Sequence, residues 1–334
     1  MYTLKRICIL IVSLVLVLQC CSATWAADGD WYYDSTKNNS DLWWNTGNWE
    51  DGYIPNGTDK TVELQGWKDH QAFIEIHNSD PAITLGGIYF GGTTYFSFGN
   101  WGSFTLRRNG AQPFLNINAS VSIGGSRSFL GTNGFVKRGS GTLQMYAQRD
   151  LSGNILVENG ELQTAENNAW SDNLSITINE NASYCSYGKS TDQFGNIGGA
   201  GTLNLYRDSD ASDSWIRVGA DNANTEFSGL IKGAGSLGKT GTGTMTISGA
   251  NTFTGRAWVE QGTMSLTNPL ALQKSTVELS SRFDLNGLDH TFGGISGGGN
   301  FTMSDNSILT VGKNNKDTTY PGVLSGNEAS LAKT

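Results

Sequence analysis

The chain has 334 residues, with 44 glycines, 5 prolines and 4 cysteines, 37% hydrophobic and 16% charged side chains. That is apolar enough to bury a core, and the glycine-rich, proline-poor balance describes short strands punctuated by turns, not disorder. A formal net charge of −8 argues against nucleic acid and anionic lipid as partners, because both select basic faces.

At the N-terminus, Lys5 and Arg6 precede an apolar run from Ile7 to Leu18, and small residues follow at Ala23 and Ala26. This layout predicts a secretory signal over residues 1–26. As a membrane anchor the run is too short, since crossing a bilayer core takes roughly 20 apolar residues. Cleavage removes two cations, taking the charge from −8 to −10, and removes Cys8, Cys20 and Cys21. Cys185 is left alone, so the exported fold must hold without an internal disulfide, and a semi-buried small side chain is the expected role of that thiol.

Residues 28–75 have their own texture, with Trp31, Trp43, Trp44, Trp49 and Trp67 beside Tyr32, Tyr33 and Tyr53. Such bulk suits an N-terminal cap over the end of a stacked fold. The flat rings of Trp43, Trp44 and Trp49 could also stack on sugars as a ligand-binding set. Residues 76–134 read as glycine-rich strands, including Ile83 to Phe90 and Phe114 to Ile123, which would form the first coils.

From there the chain repeats itself. Residues 137–143, KRGSGTL, return as residues 239–245, KTGTGTM, at an offset of 102. At the same offset Leu151 to Gly153 matches Phe253 to Gly255, and Val157 to Gly160 matches Val259 to Gly262. Small indels follow, and Leu331 to Thr334 aligns with Leu237 to Thr240. Two units result, 135–234 and 235–334, the second expected to end in mid-repeat. Their apolar residues fall in i, i+2 pairs, such as Leu203 with Leu205 and Met245 with Ile247, which is strand periodicity. Tandem short strands joined by Gly and Asn turns predict an all-β solenoid, a parallel β-helix, with coils on the order of 20 to 25 residues and four or five coils per unit.

The segment from Gly235 to Gly255 with Val259 to Met264 resembles the autotransporter-associated β-strand repeat. A weaker copy runs from Gly134 to Leu162 and departs from the pattern at Tyr146 to Asp150. The entry segment from Trp44 to Gly52 is similar to the start of such passengers. The resemblance implies a right-handed parallel β-helix passenger, secreted or displayed at the cell surface. An outer-membrane translocator or another anchor would lie outside this chain. It names no catalytic residue.

Several motifs invite sharper readings. Gly233 to Thr240 satisfies the phosphate-loop pattern letter for letter, with Lys239 and Thr240 placed to meet phosphates and magnesium. A phosphate loop must open a helix, yet residues 241–249 read as turn and strand, so no nucleotide is expected. Asp208, Asp210 and Asp213 place three carboxylates on a short stretch, the oxygen chemistry that calcium prefers; a solvated acidic turn is the preferred reading, and calcium the weaker one. No metal or catalytic set can be assembled from His70, His77, His290 and Cys185, and each histidine is expected to be an ordinary surface or turn residue.

These readings converge on a structural or adhesin-like passenger, without cofactor, whose partner would be an extracellular protein or glycan. The alternatives are a carbohydrate-active β-helix enzyme, drawing its acids from residues such as Asp208, Asp210 and Glu226, and a carbohydrate-binding module.

Overall fold

The computed structural model describes residues 30–32, 55–65, 72–74, 83–91, 96–98, 104–123, 129–145, 151–164, 170, 172–186, 191–205, 215–280 and 282–334. The apolar N-terminal run and the aromatic side chains of residues 28–75 lie outside this set. Within that segment, the strands Asp30–Tyr32, Thr61–Gln65 and Ala72–Ile74 pair with the sheets of the solenoid.

Every described strand pairing is parallel, because the chain circles an axis and lays each turn on the one before. Three faces result. Face one is a 12-stranded sheet from Asp30–Tyr32 to Phe283–Asp284, and face two is an 8-stranded sheet from Ala72–Ile74 to Leu230–Gly233. Face three begins with Ile83–Leu85, Phe104–Leu106 and Phe129–Leu130, passes through the bridge from Gly131 to Leu151, and continues as an 8-stranded sheet from Thr191–Phe194 to Ser330–Lys333. The chain visits the faces in the order three, one, two, as in Thr191–Phe194, Asn196–Gly199 and Thr202–Leu205.

The i, i+2 pattern works here as it must in a strand with one buried face. Inward residues stack on their counterparts in the next turn, so Ile155, Ile176 and Ile197 form one buried column and Leu143, Leu162, Tyr184, Leu203 and Ile231 another. The registers of these columns set the turn at 19 to 22 residues in the compact coils. Longer turns occur too: Asp30 lies against Glu63, Gly87 against Phe114 and Gly199 against Phe227, spacings of 33, 27 and 28.

Between Lys137 and Lys239 the chain completes four turns and about two thirds of a fifth, passing Val157, Ile178, Gly199 and Phe227 on face one before reaching face three. The 102-residue sequence period therefore does not return a motif to the face it started on. Lys137 stands on face one, at its corner with face two. Lys239 stands on face three, at its corner with face one.

Beyond Leu230–Gly233 face two has no further strands among the described residues, and Asn251 takes over part of its bonding. Its Oδ1 accepts from the Ile231 amide at 2.7 Å, and its Nδ2 donates to the Ala271 carbonyl at 3.0 Å, so one buried side chain joins three consecutive turns. Asn251→Leu strands both backbone groups, each at a cost of roughly 1–3 kcal/mol. Urea unfolding should show a loss of about 2–5 kcal/mol, whereas Thr252→Ala beside it should stay within about 0.5 kcal/mol.

Candidate functional site

The stretch the sequence singles out, residues 233 to 264, forms a corner and parts of two coils. Ser236–Lys239 is a strand on face three, the chain turns through Gly241 and Gly243, and Thr244–Ile247 is a strand on face one. A strand follows where a phosphate loop would open a helix, in agreement with the reading from sequence. Lys239 has 1% of its surface exposed, and its Nζ donates to the carbonyls of Thr240 and Gly241. Burial draws its pKa below the ordinary lysine range, with Asp221 pulling the other way.

Gly238 has a purpose unrelated to phosphate. Trp258 lies next to it in the following coil and folds its indole back across the glycine, where a Cβ would collide with the ring. The Trp258 side chain points outward yet is buried, covered by the Arg256 guanidinium 4.4 Å from the ring centroid. Its Nε1 donates to Glu260 Oε1 at 3.0 Å, the same oxygen that Arg217 Nη2 meets at 2.8 Å, while the Arg217 guanidinium stacks 4.3 Å from the Trp215 centroid. Arg256 pairs with Glu278 at 2.8 Å. These ion pairs are half-exposed and individually weak, and the cation–π contacts add about 0.5–1 kcal/mol each. Together they fasten four turns of face three from outside. A second aromatic, Phe114, covers Gly87 in the same manner on face one, between Arg108 and Arg138.

The lumen holds a polar cluster that sequence reasoning missed. Tyr184 OH donates to Asp192 Oδ2 at 3.0 Å and accepts from Trp170 Nε1 at 3.2 Å, and Thr164 Oγ1 donates to the same carboxylate oxygen at 3.0 Å. All four are buried, and Phe194 packs edge-on against Tyr184. Burial and the Asp192 carboxylate both push the Tyr184 hydroxyl well above the usual phenol range. The signal available in sequence is Asp192 at an i, i+2 spacing from Phe194, which places it inward.

Cys185 is buried, as its expected role requires. Its Sγ accepts from Asn204 Nδ2 at 3.5 Å, and desolvation with Glu161 nearby pushes the thiol up to about 12. His290 corrects the expectation of a surface or turn residue: it is 2% exposed, with Nε2 bonded to the Leu285 carbonyl at 3.0 Å and Nδ1 without a partner. Its inward strand position opposite Leu309 is the reason. Glu226 sits on the outer side of face one, accepting from Ser248 Oγ at 2.7 Å. Asp208, Asp210, Asp213, Trp43, Trp44, Trp49, His70 and His77 lie outside the described residues. Among the described residues no cluster of three or more His, Cys, Asp or Glu could hold a metal ion.

A family model falls on this same stretch. Residues 237–266 match the model of the passenger-associated-transport-repeat. A stretch of 108 residues, 30% of this chain, is 31% identical to the Adhesin BmaC autotransporter of Brucella suis biovar 1 (strain 1330), and covers 3% of that protein's length. No solved structure matches. The matched repeat runs from inward Leu237 through the Lys239 corner, Asn251 and Trp258 to inward Leu266, so it spans about one and a half turns of the solenoid.

Gly238→Ala should lower stability by about 1–3 kcal/mol through overpacking against Trp258. In a Trp258→Ala background the same change should be neutral or mildly stabilising, and a double-mutant cycle reads the difference. Burial lowers the His290 pKa below its ordinary value of 6.5. The unfolded chain therefore binds a proton that the folded chain refuses, and stability falls as pH drops through 6.5. Thermal melts between pH 7.5 and 5 should show a decline that His290→Gln flattens.

Proposed function

We propose that this chain is part of an exported, surface-displayed passenger of adhesin type, with a mechanical and presenting role and no catalytic one. The observation that carries the reading is the passenger-associated-transport-repeat at residues 237–266, set within a parallel solenoid. The likeness to a stretch of an autotransporter adhesin supports the same role. Export fits the signal-like residues 1–26. The repeat is one associated with passengers, so the reading calls for a translocator barrel or anchor outside residues 1–334.

The chemistry of the best-defined motif supports a mechanical role as well. Lys239, the residue a nucleotide site would use, is committed to backbone carbonyls, and the Trp258 ring occupies the space above Gly238. A rod of this kind binds a partner through many shallow contacts along a face, for which an extracellular protein or a glycan chain is suited in length. The aromatic set Trp43, Trp44 and Trp49 is our choice for a sugar-stacking contribution.

The test is to express the chain with its own N-terminal segment, joined to a translocator barrel, in a bacterial host with an outer membrane. Protease-accessible display and several-fold greater adherence to host cells or immobilised matrix glycoproteins than with the barrel alone are expected. Loss of glycan retention on Trp43→Ala with Trp44→Ala would locate the sugar contact in residues 28–75. New reducing ends on incubating the purified protein with acidic polysaccharides would overturn the non-catalytic reading.

A further inference from the structure

The lysine shared by both copies of the repeat has a task that display at a surface does not explain. Lys137, with none of its surface exposed, donates from Nζ to the carbonyls of Gly139 at 2.8 Å and Gly141 in its own turn, and to that of Asn159 at 2.7 Å in the turn of the next coil. Lys239 donates to Thr240 and Gly241. Glycines from neighbouring coils wall both ammonium groups: a Cβ on Gly160 would collide with Lys137 Nζ, and Cβ atoms on Gly219 and Gly262 would stand 2.7 and 3.0 Å from Lys239 Nζ. Backbone carbonyls converge as they would on a bound metal ion, and the ammonium is the resident cation.

Inward–outward alternation alone leaves such a solenoid with an ambiguity. A slip of one residue between coils turns every buried side chain outward and is forbidden, but a slip of two keeps apolar residues inward. We propose that Lys137 and Lys239 are register clips, which exclude the two-residue slip by fixing which turn residue of one coil lies over the ammonium of the other. A slip of two replaces Gly160 above Lys137 by Glu158 or Leu162, and Gly262 above Lys239 by Glu260 or Met264. Each brings a Cβ into space the glycine leaves empty. For Lys137 the slip also moves the Asn159 carbonyl off its donor.

Two further observations fit a specifying device better than a stabilising one. Burying an ammonium is costly, and a well-packed apolar substitute is often as stable or more so, whereas buried polar groups can fix register. Burial pulls Lys137 down to about 8, with Glu161 opposing, which marks how far the group is desolvated. The clip is also built at different corners of the solenoid in the two copies. It therefore belongs to the motif and not to one face.

Paired cysteines read the register directly in the whole chain, with Cys185→Ser as background. Thr244 and Thr263 are opposite one another in adjacent coils, whereas Thr246 is two residues out of step with Thr263. Partners offset by two lie about 8 Å apart, beyond disulfide reach. Thr263→Cys should oxidise with Thr244→Cys at least about tenfold faster than with Thr246→Cys. Adding Lys239→Met should bring the two rates within about threefold, with the protein still folded by circular dichroism. An unchanged ratio, with only a lower urea midpoint, would make the lysine a stabilising contact and overturn the clip. If Lys239→Met does not fold, Lys239→Gln, which keeps a donor but loses the charge and reach, is read by the same ratio, and again no change overturns the proposal.

Discussion

No turn among the described residues can satisfy its own strand backbone. In a helix or a hairpin the hydrogen-bond partner of an amide lies close by in sequence; here the strand amides and carbonyls bond to the turn before and the turn after, in parallel pairs throughout the described residues. Stability is thus a property of neighbouring turns taken together, approximately a sum of terms between adjacent coils. Everything distinctive about the chain serves the stacking: turns close to 20 residues, glycine where backbones approach at corners, and polar side chains that reach one turn up or down.

That dependence explains which features can be read from the sequence. The alternation at Leu203 with Leu205 and at Met245 with Ile247 is local, so strand character and inward residues are plain, and the 102-residue similarity between 137–143 and 239–245 announces a solenoid. Contacts between turns are not legible, because their sequence spacing depends on the length of each turn. Trp258 over Gly238, Asn251 between Ile231 and Ala271, and Tyr184 with Asp192 and Thr164 all join residues whose meeting requires knowing where each coil closes. The 28-residue turn between Gly199 and Phe227 shows why a fixed period cannot simply be assumed. His290 carries the same local signal as Asp192, an i, i+2 spacing from inward Phe292, and its pairing opposite Leu309 bears it out.

The candidate site is accordingly a region of construction more than of chemistry. Groups that look reactive in the sequence are consumed by the fold. Lys239 meets carbonyls, and Cys185 is a buried thiol whose pKa desolvation raises. A small glycine beneath a large aromatic recurs on two faces, at Gly87 with Phe114 and at Gly238 with Trp258, and lets a ring lie flat on the sheet. This keeps the outer surface smooth where a standing indole would project.

The mismatch between the 102-residue period and the length of a turn has a consequence for how such rods meet one another. The second copy starts about two thirds of a revolution away from the first, roughly 22 Å further along the axis at the usual spacing between strands, whereas Leu331 to Thr334 comes back to face three, where Leu237 to Thr240 stands. Features carried by the first two copies therefore do not share one stripe along the rod. When one of these two copies touches a neighbouring rod, the other is turned away from it.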